Sequence, residues 1–192
     1  MTGRRVAAFI LLFVALPLGE TPRDRSAIHS QPASQDCSGL RLNEVLPEPK
    51  VVDWDGDGTV GPDDEWIELY NAGDTPCDLE GWALDDEAAI GSSPPHVITQ
   101  TTLIAPGGYI VFYQRETGIK LHNSADSVRL FPPGAAVPIE EYRYYTNCSN
   151  PLDRSHCRSS DGPTWELCCW PTPWRANDAT VQCYLPLVSR GG

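Results

Sequence analysis

Positive charge is scarce in this sequence: 14 Lys and Arg stand against 26 Asp and Glu in 192 residues, a formal net charge of −12. Nucleic acids and anionic membranes are bound by neutralising phosphate with Lys and Arg, so this balance excludes nucleic acid as a partner. Sustained 3.6-residue apolar periodicity is missing from Leu40 onward, and 18 prolines oppose helices. Signatures of catalysis are missing as well. His29, His96, His122 and His156 have no Gly-x-Ser-x-Gly elbow or His-Glu-x-x-His pair near them, and no Gly-rich phosphate loop leads a strand into a helix. The cysteines lack Cys-x-x-Cys spacing, and adjacent Cys168 and Cys169 have a poor bite for tetrahedral ligation, which opposes zinc.

What is present begins with one long apolar run. Arg4 and Arg5 precede uninterrupted apolar residues 6–18, followed by Gly19, Glu20 and a polar, Pro-containing stretch. The run is short for a bilayer and apolar on every side, unlike an amphipathic core helix, so residues 1–26 read as a signal peptide. The cut falls between Gly19 and Ala27, an uncleaved anchor being the alternative, and no stable membrane span remains after removal. Losing residues 1–26 takes away Arg4, Arg5, Arg23 and Arg25 with Glu20 and Asp24, leaving 10 basic against 24 acidic side chains and a net charge of −14. The expected location is secreted, extracellular or at the cell surface, where an acid excess attracts cations and Ca²⁺ is the abundant divalent one. Seven cysteines in an exported chain point to disulfides, the odd one being free or paired with another molecule. Residues 27–39 are polar and aperiodic, a flexible lead-in.

From Leu40 short strands alternate with turn signals, the pattern of a sandwich or barrel, and the class is all-β. The strands fall at 40–46, 66–71, 79–84, 97–103, 109–113, a hairpin of 127–131 with 139–145, and a last pair, 155–158 and 165–168. Leu40, Leu42 and Leu46 share one face of the first strand. In the second, Ile67 and Leu69 face one way and Trp66, Glu68 and Tyr70 the other. If Asn43 stands opposite Tyr70, Cys37 and Cys77 fall at the same open end. A final hairpin turning on residues 161–164 sets Cys157 opposite Cys168. Opposed strand positions have the short Cα separation a disulfide tolerates, so Cys37–Cys77 and Cys157–Cys168 are the expected bridges. Cys148, Cys169 and Cys183 are left for one further bridge and one thiol.

Six segments resemble, in order, the lamin tail domain. They are Asn43-Glu44-Val45-Leu46-Pro47, Asp64-Glu65-Trp66-Ile67-Glu68-Leu69-Tyr70-Asn71, Asp78-Leu79-Glu80-Gly81-Trp82-Ala83-Leu84-Asp85-Asp86, Leu103-Ile104-Ala105-Pro106-Gly107-Gly108-Tyr109, Asn123-Ser124-Ala125-Asp126-Ser127-Val128-Arg129-Leu130 and Pro171-Thr172-Pro173-Trp174-Arg175-Ala176-Asn177. The resemblance implies an immunoglobulin-like β-sandwich over residues 40–178, of a branch found in bacterial surface and exported proteins. It implies interaction or scaffolding rather than an activity, since fold alone does not specify function. The sequence departs from the family at Trp174, where Gly is usual.

Between the first two strands lies the segment with chemistry, 53–64. Asp53, Asp55, Asp57 and Asp64 occupy loop positions 1, 3, 5 and 12, Gly58 position 6 and Thr59 position 7. Calcium loops of the EF-hand type need that layout: closely spaced oxygens converge on the ion, glycine permits the turn, a backbone carbonyl contributes from position 7, and an acid closes the sphere from position 12. The segment resembles a dockerin-type loop, with Glu65 as substitute for Asp64. A plain β-turn needs one Asp-Gly and gains nothing from four mutually repelling acids. Affinity on the order of 10⁻⁴–10⁻³ M is expected of such an extracellular site. No second loop or flanking helix follows, which removes cohesin as a partner.

The function expected is a secreted, non-catalytic module whose partner is a protein or a cell-surface glycan. The alternative is a small extracellular hydrolase, or an accessory domain of one, with His156 as its candidate; here His156 reads as a hairpin-surface histidine. Asp85-Asp86 and Glu140-Glu141 read as solvated pairs. Trp165, Trp170 and Trp174 beside Tyr142, Tyr144 and Tyr145 form either cross-strand packing or a contact surface. The apolar tail at 179–192 is either a final edge strand or a docking peptide.

Overall fold

The computed structural model describes residues 36–87, 92–145 and 152–177. The expected signal peptide, most of the 27–39 lead-in, Cys148, Cys183 and the 179–192 tail lie outside them. Among the described residues, eleven strands, a single helical turn and two 3₁₀ turns follow in order. The strands are β1 (Leu40–Leu46), β2 (Trp66–Asn71), β3 (Cys77–Asp78), β4 (Ala83–Asp85), β5 (His96–Val97), β6 (Leu103–Ile104), β7 (Tyr109–Tyr113), β8 (Asp126–Phe131), β9 (Glu140–Tyr144), β10 (Ser155–Arg158) and β11 (Trp165–Cys169); the helical turn α1 (Gln114–Thr117) follows β7. No helix among the described residues is long and apolar enough to cross a membrane.

All strand pairs are antiparallel. One layer is a five-stranded sheet in the order β11-β10-β1-β2-β7; the other strands form a four-stranded sheet, β5-β4-β8-β9, and a small β3-β6 pair. This is the expected all-β immunoglobulin-like sandwich. Leu42, Val45, Leu69, Leu79, Leu84, Val128 and Leu130 build one apolar cluster, with 0% of each exposed.

Of the expected strand 79–84 only Ala83 and Leu84 are extended, in β4, with β3 lying just before it, and the expected 97–103 keeps only its ends, in β5 and β6. Gly81, at φ +83°, turns the chain from β3 to β4, so that β3 pairs with β6 while β4 joins β5 and β8. Glycine reaches that left-handed backbone at no steric cost. Trp174 adopts φ +67°, the region that explains glycine at the corresponding family position.

The first strand corrects the expected register. Leu42 pairs with Leu69 and Glu44 with Glu68, with an irregularity between them. Asn43 is therefore the extra residue of a bulge, which reverses the facing of the residues after it. Leu40, Leu42 and Val45 face the sandwich core, whereas Leu46 joins Trp66 and Val111 on the outer side, not Leu40 and Leu42. Glu140 and Arg158 satisfy the backbone at the bulge. Leu42 N–H donates to Glu140 Oε2 at 2.8 Å, Arg158 Nε donates to Leu42 O at 2.5 Å, and Arg158 also pairs with Glu140. Glu140 is thus not solvated. Neither are Asp85 and Asp86, 8% and 2% exposed: Asp85 pairs with Arg129 at 2.6 Å and Asp86 accepts Ser93 N–H at 2.7 Å.

Cys37 is bridged to Cys77, with Cα atoms 5.1 Å apart. The bridge does not arise from the β1–β2 register, because Cys77 sits in β3 opposite Ile104; it ties the lead-in to the small sheet. The expected Cys157–Cys168 bridge is replaced by Cys157–Cys169, at a Cα separation of 6.0 Å. Cys157 pairs in the ladder with Glu166 and Ser155 with Cys169, leaving Cys168 as a bulged residue at φ +63°. That extra residue returns Cys169 to the face of Cys157, where the two stand diagonally. Cys168 is itself disulfide-bonded.

Candidate metal centre in the first long loop

Residues 47–65 leave β1 and return to β2 across the outer side of the five-stranded sheet, and three side chains fix the path. Asp153, 3% exposed, accepts N–H groups of Lys50, Val51 and Val52 at 2.5–3.1 Å and the indole N–H of Trp54 at 2.9 Å. Trp54 packs edge-on to Trp66, centroids 6.3 Å apart. Asp64, fully buried, accepts Trp54 N–H (2.5 Å) and Asp55 N–H (2.9 Å) on one oxygen and Gly61 N–H (2.9 Å) on the other. The start and end of the loop are stapled by carboxylates taking backbone donors, a charge-assisted arrangement stronger than neutral hydrogen bonds.

Within this frame Asp53, Asp55 and Asp57 bring one carboxylate oxygen each to within 4.8 Å of the others. Asp53 is oriented by the turn it closes, accepting Gly56 N–H (2.7 Å), Asp57 N–H (3.1 Å) and Gly58 N–H (2.8 Å). Gly56 and Gly58 supply φ of +74° and +97° for that turn. Asp57 takes the hydroxyl (2.6 Å) and N–H (2.8 Å) of Thr59, which hold its carboxyl below the usual range. An ionised carboxylate has about four acceptor sites, so each keeps lone pairs after these bonds.

Asp55 differs from its two neighbours. Its side chain is 0% exposed, burial pushes its carboxyl up, and Oδ2 has no hydrogen-bond donor. The group that answers its charge is Arg115 of α1, 3.2 Å from Oδ2.

Two expected ligands stand elsewhere. Asp64 is outside the converging trio and serves as the staple. Glu65, the expected substitute, points inward, accepts Leu121 N–H at 2.8 Å, and is pushed by burial to about 8. Arg115 and Asp153 were not expected here; only the fold brings α1 and the residues before β10 to this loop, and their spacing carried no signal.

His156 corrects the surface expectation. It is 1% exposed, within 3.1 Å of the Tyr142 hydroxyl and stacked on Tyr144 at 4.9 Å, and burial lowers it to about 4. A ring sealed in this way has no face for a substrate. The aromatic group divides: Trp165 stacks on Tyr142 at 3.7 Å, while Trp174 and Tyr145 are 53% and 73% exposed.

No curated protein and no solved structure matches the chain. The Lamin Tail Domain profile matches residues 33–146, more than half of its length. That span holds β1 through β9 and the whole acidic loop; β10 and β11 complete the same sheet beyond it. The matched family is immunoglobulin-like and generally non-enzymatic. With its order of strands, its sandwich and this match in agreement, the chain belongs to the lamin tail domain family.

Proposed function

We propose that this chain is an exported, non-catalytic interaction module of the bacterial lamin-tail branch, whose β1–β2 connection is fastened by Ca²⁺. Asp53, Asp55 and Asp57 would be the carboxylate ligands, the Thr59 carbonyl would add a backbone oxygen, and Asp64 would hold the loop's ends rather than the ion. The observation that carries this reading is the convergence of three carboxylate oxygens within 4.8 Å, one of them from Asp55, whose side chain is buried and whose Oδ2 has no hydrogen-bond donor. Hard oxygen donors in a flexible loop suit Ca²⁺ over softer metals. Export is supported by the apolar run at residues 6–18 and by two disulfides among the described residues. The acidic surface favours a protein or a cell-surface glycan as partner over nucleic acid.

Titration calorimetry of the mature chain with CaCl₂ tests the ion. The expected result is one site with Kd about 10⁻⁴–10⁻³ M, abolished by Asp55→Ala with Asp57→Ala. A pull-down from cell envelope with calcium or with chelator tests the module. Capture that depends on calcium and on Asp55 supports the role, and turnover in nuclease, phosphatase or glycosidase assays opposes it.

A further inference from the structure

Glu44 and Glu68 face each other across the β1–β2 ladder, both with 0% exposure, and neither joins an ion pair among the described residues. Residues 171–177 cover them. Thr172 N–H lies 3.1 Å from both oxygens of Glu44, and Trp174 N–H donates to Glu68 Oε2 at 2.6 Å. Asn177 fastens the end of the segment, donating Nδ2 to Asn43 O at 3.2 Å and its backbone N–H to Asp161 Oδ1 at 2.9 Å.

The Thr172 hydroxyl also lies over Glu44, its Oγ1 2.8 Å from Glu44 Oε2 and 2.9 Å from Asn177 Oδ1, so its one hydrogen is shared between two acceptors. Ser155 Oγ donates to the other oxygen of Glu44, and Asn43 Nδ2 donates to Glu68 at 2.9 Å. Around the pair stand Asp161, which accepts from the Tyr109 hydroxyl (2.6 Å), Asn43 Nδ2 and Asn177 N–H; Tyr70 and Tyr109, stacked on each other; Arg41, which donates to Asp161 O; and Arg175 on the segment itself. β10 contributes uncharged Ser155.

We propose that residues 171–177 form a proton-gated clasp, seated on the five-stranded sheet while Glu44 and Glu68 hold protons and released when both ionise. Two opposed carboxylates under a dry cover repel each other and lose hydration, whereas in the open state water solvates them. Burial, the leading cause for both, raises Glu44 to about 7 and Glu68 to about 8. Opening would uncover the polar band of Asn43, Glu44, Glu68 and Asp161.

The test is amide exchange by NMR on the mature chain, in EDTA throughout so that the loop ion does not vary. It compares the parent with Glu44→Gln/Glu68→Gln at the same pH, which cancels the intrinsic pH dependence of exchange. Protection of the Thr172 and Trp174 amides should fall at least about tenfold between pH ~6 and ~9 in the parent relative to the variant. Parallel profiles overturn the clasp. Should the variant fail to fold, carboxyl ¹³C titration of the parent decides: midpoints above pH ~6 for both glutamates support it, and midpoints near the ordinary 4.5 contradict it.

Discussion

The acidic loop and the covered glutamate pair belong to the same two strands and their connection, yet they handle crowded carboxyls in opposite ways. In the loop, Asp53 and Asp57 reach solvent and accept backbone and hydroxyl donors, which leaves converging lone pairs for a cation. Under the C-terminal segment, Glu44 and Glu68 are sealed, and the cheapest way to remove their repulsion is to keep the protons. Exposure decides between the two. A hydrated ion can be delivered to the loop, while no cationic side chain forms an ion pair with the buried glutamates among the described residues. On the two proposals, identical chemistry serves as a metal site in one place and a proton store in the other.

The largest expected effect breaks the buried side of this contrast. Glu68→Ala leaves Trp174 N–H and one hydrogen of Asn43 Nδ2 without an acceptor under cover and opens a cavity, so it should cost about 3–4 kcal/mol in urea unfolding. Glu68→Gln, an isostere of the neutral acid, should cost under about 1.5 kcal/mol; equal losses would mean that the charge, not the shape, is used. Next comes Asp153→Ala, which strips four N–H groups of their acceptor at the head of the loop and should cost about 2–3 kcal/mol while weakening calcium binding. A stability loss with unchanged calcium affinity would separate the staple from the site.

The pH dependence arises from the same contrast. Glu44 and Glu68 are raised acids, so their contribution is fully present below the unfolded value of 4.5 and is lost as pH climbs through about 7 and 8. His156, lowered from 6.5 to about 4, contributes stability that is lost as pH falls through that window. Urea unfolding should therefore show the glutamates' contribution declining from pH ~5 to ~8, most visibly above ~6.5 where His156 no longer opposes it, and the decline should be much reduced in Glu44→Gln/Glu68→Gln. The smallest effect is at Trp174. Trp174→Gly relieves a left-handed backbone at an exposed side chain and should stabilise by up to about 1 kcal/mol; a clear loss would mean that the indole packs against something the backbone argument ignores.

Strand positions were legible because alternation and turn residues are local: β1, β2 and β7 have the expected bounds. What failed was anything set by one inserted residue. Asn43 and Cys168 are bulges, and each shifted a facing or a disulfide partner by one place, which no pattern of period two can register. The facing of Glu68 away from the core was readable, but its burial was not, since its cover arrives from Trp174, 106 residues later. The acidic loop was the reverse case. Its spacing placed Asp53, Asp55 and Asp57 together, whereas the task of Asp64 depended on which amides the folded loop turns toward it.

The central claim is that the loop trio is a calcium site, and thermal unfolding of the mature chain at fixed pH measures it most directly. With Kd of about 10⁻⁴–10⁻³ M, about 10 mM CaCl₂ should stabilise the fold by about 1.4–2.7 kcal/mol. That raises the Tm by roughly 3–10 °C, and the shift should vanish in Asp55→Ala/Asp57→Ala. A parent Tm that is the same in calcium and in EDTA would contradict the account.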